Sequence, residues 1–258
     1  MSYMTIGLKK EVSLVLLPID DYTDRVITGS ELWVYTTEER LSSIRKADGY
    51  HVFCDLPGNE TEVCLEGPLY QKKILRFPIG QDRSSVFQVR MLPGVCYPLL
   101  KGTTIVKGVL PPESMIRLFF PGQRKKCKLL KNYDPLTKER ELSLFLPYEM
   151  LLVGKTMCIG GKDRAWEFFR VADQKKNIAT LEQPLSGVYQ KTDAGVYPVY
   201  EASVSEDGNL YLPIGGLSGE VPCVCILLGK DGTEQVREFT LTAGKENRIT
   251  KDLWEEED

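Results

Sequence analysis

The strongest constraint on the fold is the period of the apolar residues, which is two almost everywhere and 3.6 almost nowhere. Short apolar or alternating runs, bounded by Gly, Pro, Asp and Asn, occupy most of the 258 residues, and that pattern predicts strands. Strands are expected over 12–17, 32–35, 50–54, 62–66, 86–91, 104–110, 115–120, 141–146, 156–159, 209–213, 223–228 and 235–241. Side chains alternate along a strand, so Leu32 and Val34 share one face and Trp33 and Tyr35 the other. Asp48-Gly49, Asp207-Gly208 and Asp231-Gly232 lie beside such runs and supply the positive φ that tight hairpins need. Only 148–153 and 164–171 carry patterning for a helical turn or two. The chain therefore reads as mainly β.

With 42% hydrophobic and 27% charged residues, it can bury a core and is not a disordered polymer. A formal net charge of −3 gives no reason to expect nucleic acid. The charge is uneven. Residues 117–140 hold eight Lys or Arg against Asp134 and Glu139, whereas 192–258 hold fourteen acids against five bases. Such asymmetry suits the docking of neighbouring subunits as well as solvated loops. The apolar run 12–19 is too short to span a membrane and lacks a small-residue cleavage site, so no membrane insertion is expected. Seven scattered cysteines without a secretion signal read as reduced thiols, and a cytoplasmic location is expected.

Punctuation divides the chain into tandem small β domains. The first covers 1–80, and the polar segment 81–85 reads as a linker. The second covers 86–184 and the third 185–250, with an acidic tail over 251–258.

The first segment runs from the strand 14–17 to Asp20-Asp21-Tyr22-Thr23-Asp24-Arg25 and Thr28-Gly29-Ser30. The strand 32–35 follows, then Asp48-Gly49-Tyr50-His51-Val52-Phe53, Asp55-Leu56-Pro57-Gly58, and a last strand over 62–70. This order resembles the carboxypeptidase regulatory-like domain, a prealbumin-type β-sandwich, over about the first 75 residues. Asp24 stands where that family usually has Gly, and Gly67-Pro68-Leu69-Tyr70 replaces its simpler Gly-Tyr ending. The resemblance implies mainly β, tandem small antiparallel β-sandwich domains of immunoglobulin-like or prealbumin-like type, accessory modules without chemistry of their own. Gly102 to Val109 and Glu206 to Pro213 echo parts of the same order, which suggests a divergent tandem array. A fainter similarity links Val86 to Pro93, Tyr97-Pro98 and Gly102-Thr103-Thr104 to accessory proteins of phage tail-like contractile injection particles.

Candidate chemistry is sparse. The single histidine, His51, must serve any triad, and it lies inside a predicted strand, where an outward or hydrogen-bonded half-buried imidazole is expected. Cys223-Val224-Cys225 puts two thiols on one strand face, without the second pair of a zinc ribbon, and reads as packing. Gly154-Lys155-Thr156 lacks a phosphate-loop cradle, because Glu149 occupies the place of the first glycine. Asp20, Asp21 and Asp24 offer oxygens to a hard cation, but their spacing is not that of an EF-hand, and Asp in turns commonly bonds local backbone. The basic stretch 121–128, beside Phe119 and Phe120, lacks any RNA-module signature and reads as a hairpin tip or assembly contact. No catalytic, cofactor-binding or metal-binding residue is assigned.

The expectation is a non-enzymatic structural or assembly protein with protein partners, contacting them through loops such as 38–47 and 124–138. The alternative is a carbohydrate- or peptide-binding module whose platform is formed by Trp33, Tyr35 or Trp166. Exposure of those aromatics in one groove would favour binding, and their burial would favour structure.

Overall fold

The computed structural model describes residues 10–79, 86–122, 127–137, 139–146, 150–160, 166–251 and 254. It divides into two compact units, 1–97 and 98–258. The predicted linker 81–85, half of the basic stretch 121–128 (123–126), positions 148–149 and 164–165 of the expected helical turns, and 252–253 and 255–258 of the acidic tail lie outside the described residues.

The first unit is a two-layered sandwich. One sheet is built on β1 (Val12–Asp20). It pairs antiparallel with β2 (Arg25–Val26) and β5 (His51–Cys54), and β5 pairs with β4 (Ile44–Arg45). The second sheet joins β3 (Trp33–Thr36), β6 (Glu60–Gly67) and β7 (Tyr70–Pro78). β8 (Val86–Met91) then runs parallel to β1, with Val15 opposite Val86 and Asp20 opposite Met91. This changes the expected division of the chain. The strand thought to open a second domain closes the first, because Val89 and Met91 are buried in the same core as Leu14, Leu16, Val34, Phe53 and Leu65.

The second unit nests one module inside another. β9 (Thr104–Val109) and β10 (Met115–Phe119) begin a sandwich. The chain next builds a closed barrel from β11 (Cys127–Leu129), β12 (Glu141–Phe145), β13 (Thr156–Gly160), β14 (Glu167–Lys175), β15 (Ile178–Leu181) and β16 (Gly195–Pro198), in the order β11-β12-β15-β14-β13-β16. The sandwich is completed by β17 (Tyr200–Ser203), β18 (Asn209–Ile214), β19 (Glu220–Leu228), β20 (Glu234–Thr242) and β21 (Glu246–Ile249). Its sheets are β17-β10-β19-β20 and β18-β9-β21. Residues 86–184 and 185–250 therefore do not form successive sandwiches. β9 pairs with β18 and β10 with β17 and β19, so the two expected domains share sheets.

Local sequence explains each element. β14 replaces the helical turn expected at 164–171, because Phe169 and Val171 alternate into the barrel core while Arg170 and Ala172 point out. The barrel is filled by Leu142, Leu144, Leu152, Met157, Ile159, Leu181 and Val196. In β19 the alternation gives way to a continuous buried run from Cys223 to Leu227. Such a run marks a strand covered on both faces. Val224 and Ile226 belong to a second cluster with Phe119, Cys158, Tyr197 and Val199, with Trp166 and Phe168 packed against it. That cluster joins the barrel to the sandwich. All three Asp-Gly turns have glycine at positive φ.

Candidate functional site

The connection from β3 to β4 turns back along the edge of β3. The Thr36 amide donates to the Leu41 carbonyl, the Ser43 amide to the Val34 carbonyl, and the Leu41 amide to the Thr36 hydroxyl. These bonds occupy the free edge of β3, so the segment 41–43 lies beside the strand as a cover. Arg40 enters this cover with φ of 52°, a left-handed conformation uncommon for a residue with a long side chain.

A groove of about 480 Å³ opens here, lined by Ser30, Trp33, Tyr35, Arg40, Ser42, Ser43, Arg45, His51 and Glu66 among others. Trp33 is 57% exposed, whereas Val34 beside it is buried, as alternation requires. The Tyr35 hydroxyl donates to Glu66 Oε1 at 2.5 Å. A hydrogen bond to Cys64 and then this one to Glu66 push the phenol pKa up, since both stabilise the protonated ring. Among the described residues, neither Arg40 nor Arg45 has a carboxylate within ion-pair distance, in contrast to Arg90 and Arg117.

His51 is 2% exposed, and its Nδ1 lies 2.8 Å from the Ser43 hydroxyl. Burial, helped by the Arg45 charge, lowers its pKa to about 4. The imidazole is thus a neutral, hydrogen-bonded core group on the same face as Phe53, not an outward one. Sequence placed Trp33 and Tyr35 on one strand face and named 38–47 as a contact loop. The meeting of Arg40, Arg45 and Glu66 with them was not legible, because β6 brings Glu66 opposite Trp33 across the sheet.

The other candidates fall to structural roles. Trp166 packs edge-on to Phe119 at 4.8 Å and to Tyr197 at 5.7 Å, so it belongs to the joint between barrel and sandwich. Asp20 accepts hydrogen bonds from the amides of Tyr22 and Thr23 and from the hydroxyls of Tyr70 and Tyr97. Asp21 and Asp24 pair with the Arg90 guanidinium at 3.0 and 2.7 Å. A protein cation therefore already occupies the acidic turn. Asp24, standing where a glycine was expected, has φ of 57°. Cys223 and Cys225 are buried, and burial pushes the Cys223 thiol up to about 12 and Cys225 higher still. Both are held as thiols, a poor state for metal or redox chemistry. Lys155 and Thr156 lead into β13, a strand, so no helix N-terminus follows them.

No helix among the described residues is long and apolar enough to cross a membrane. No protein-family model matches the chain, and no curated protein matches it in sequence. Among solved structures, the chain is similar to BcpA, the major pilin subunit of Bacillus cereus, at 9% identity and a TM-score of 0.25, covering 91% of this chain and 69% of that one. It is also similar to a DUF3823 family protein from Bacteroides ovatus, at 9% identity and a TM-score of 0.24, with 90% and 97% covered. The Bacillus anthracis TIE protein aligns at 10% identity and a TM-score of 0.28, and this chain spans 33% of its length.

Proposed function

We propose that this protein is a non-enzymatic structural component of a larger protein assembly, in which its β modules supply spacing and rigidity. The observation that carries this reading is the joint of the second unit. The chain crosses between sandwich and barrel twice, and Phe119, Cys158, Tyr197, Val224 and Ile226 form a shared buried cluster across the crossing. A single tether permits relative motion, whereas two crossings around a packed aromatic core hold one orientation. The buried thiols fit a reducing cytoplasm. A phage tail-like contractile injection particle is the assembly suggested by the residues from Val86 to Pro93. Size-exclusion chromatography with light scattering on native protein from its host tests the proposal. Stoichiometric elution within a high-mass particle supports it, and a particle lacking a contractile sheath removes that specific context. A monomer at native concentration sinks it.

A second reading is favoured by Trp33. An exposed tryptophan sharing a groove with Tyr35 suits a carbohydrate- or peptide-binding role for the first unit.

A further inference from the structure

We infer that the Trp33 groove binds an acidic saccharide, stacking a sugar ring on the indole and holding its carboxylate with Arg40 and Arg45. This rests on the second reading above and deepens it by naming the ligand class.

Three observations select the class. The lining is cationic: Arg40 and Arg45 outweigh Glu66, the single carboxylate among the described lining residues, and His51 is neutral above its pKa of about 4. Glu38 and Glu39 precede Arg40 in the chain but do not line the groove or reach an arginine within ion-pair distance. A guanidinium without a carboxylate partner is free to take a ligand's, in the bidentate geometry that makes such pairs strong.

The second observation excludes the commonest alternative. An extended peptide binds a sheet by adding a strand to a free edge. Here the edge of β3 already bonds to Leu41 and Ser43, so recognition is left to side chains. The groove offers an aromatic face, two guanidinium groups, the hydroxyls of Ser30 and Ser42, and a carboxylate oriented by Tyr35. A ring with an apolar face, several hydroxyls and a carboxylate matches that set. The volume of about 480 Å³ lies in the range of sites for ligands of that size.

The third is conformational. Arg40 is held in the left-handed region, although any residue with a Cβ is disfavoured there. Glycine or asparagine would sit more easily, so the cover carries backbone strain at a residue that lines the groove.

Isothermal titration calorimetry tests the assignment with tetragalacturonate, a hyaluronan tetrasaccharide and sialyllactose as acidic probes. Cellotetraose serves as the neutral probe and hexaglutamate as the peptide probe. At least one acidic saccharide is expected to bind, at least about tenfold more tightly than cellotetraose or hexaglutamate. That binding should weaken with salt, fall about tenfold or more in Arg40→Gln/Arg45→Gln, and vanish in Trp33→Ala. Both variants should retain the wild-type melting transition. Cellotetraose binding as tightly as the acidic probes keeps the binding-module reading and overturns the acidic assignment. Preference for hexaglutamate likewise overturns it in favour of a peptide. No binding of any probe at millimolar concentration overturns both.

Discussion

Arg117 and Glu201 face each other across the β10–β17 pair, and Arg117 Nε donates to Glu201 Oε1 at 2.8 Å. The other carboxylate oxygen accepts the hydroxyl of Thr156, the first residue of β13 in the barrel, at 2.5 Å. The guanidinium also lies over the Phe168 ring at 5.1 Å from its centroid. One ion pair within the sandwich thus reaches two strands of the barrel. Replacing Glu201 with Ala strands a half-buried guanidinium and frees Thr156, and should cost about 1–3 kcal/mol. A double-mutant cycle with Arg117→Ala should show coupling of about 1 kcal/mol. Additive urea-melt values would show that the pair contributes nothing to the joint.

Phe119 is fully buried at the centre of the same joint. Phe119→Ala should destabilise the protein by about 3–5 kcal/mol, the range for deleting a buried aromatic ring. The form of unfolding should change as well. The wild-type second unit should melt in one transition, and the variant should separate barrel from sandwich into two, as read by calorimetry. A single transition in the variant would place the cooperativity elsewhere.

In the first unit, the buried guanidinium of Arg90 neutralises Asp21 and Asp24. Arg90→Met removes the guanidinium from those carboxylates and should cost on the order of 3–5 kcal/mol. Adding Asp21→Asn and Asp24→Asn should recover part of that loss, since asparagine tolerates the left-handed conformation at position 24. If the triple variant is no more stable than Arg90→Met, charge is not the cause.

The buried imidazole of His51 makes stability pH-dependent. Its folded pKa of about 4 lies below the 6.5 of an exposed histidine, because burial and Arg45 both disfavour the imidazolium. Between these values the unfolded chain binds more protons than the folded one. Stability from this group is therefore complete above about pH 6.5 and is lost as pH falls towards 4. Urea midpoints should fall over that window in the wild type and fall less in His51→Gln. Parallel profiles would show that the carboxylates alone set the acid limit.

Much of the fold was legible because strand formation is local. Alternation at residues 12–17, 104–110 and 209–213 foretold β1, β9 and β18 to within a few residues. β7 went unseen because Lys73 takes a position on its half-buried face and Ile74 one on its exposed face, which breaks the apolar period of two. The short strands β2, β4 and β11 are too brief to show any period. At the groove, the aromatic face of β3 was readable from spacing alone. Arg45 reaches it through β4, and Glu66 through pairing with Trp33, and neither relation leaves a local mark.

By itself, the sequence determined the mainly β character, the alternation of faces along the longer strands, the Asp-Gly turns and the packed places of Cys223 and Cys225, and it left His51 between an outward and a half-buried place. Only the tertiary structure decided which strands meet. β9 pairs with β18 and β21 more than a hundred residues later, with the barrel threaded between them. Pairing is chosen by which faces can be buried together, and many partners satisfy a period of two equally well. The sequence marked residues 223–228 only as a strand, and its burial from Cys223 to Leu227 appears in the folded chain. Only the folded chain shows that one face meets the core of its own sandwich and the other meets the barrel.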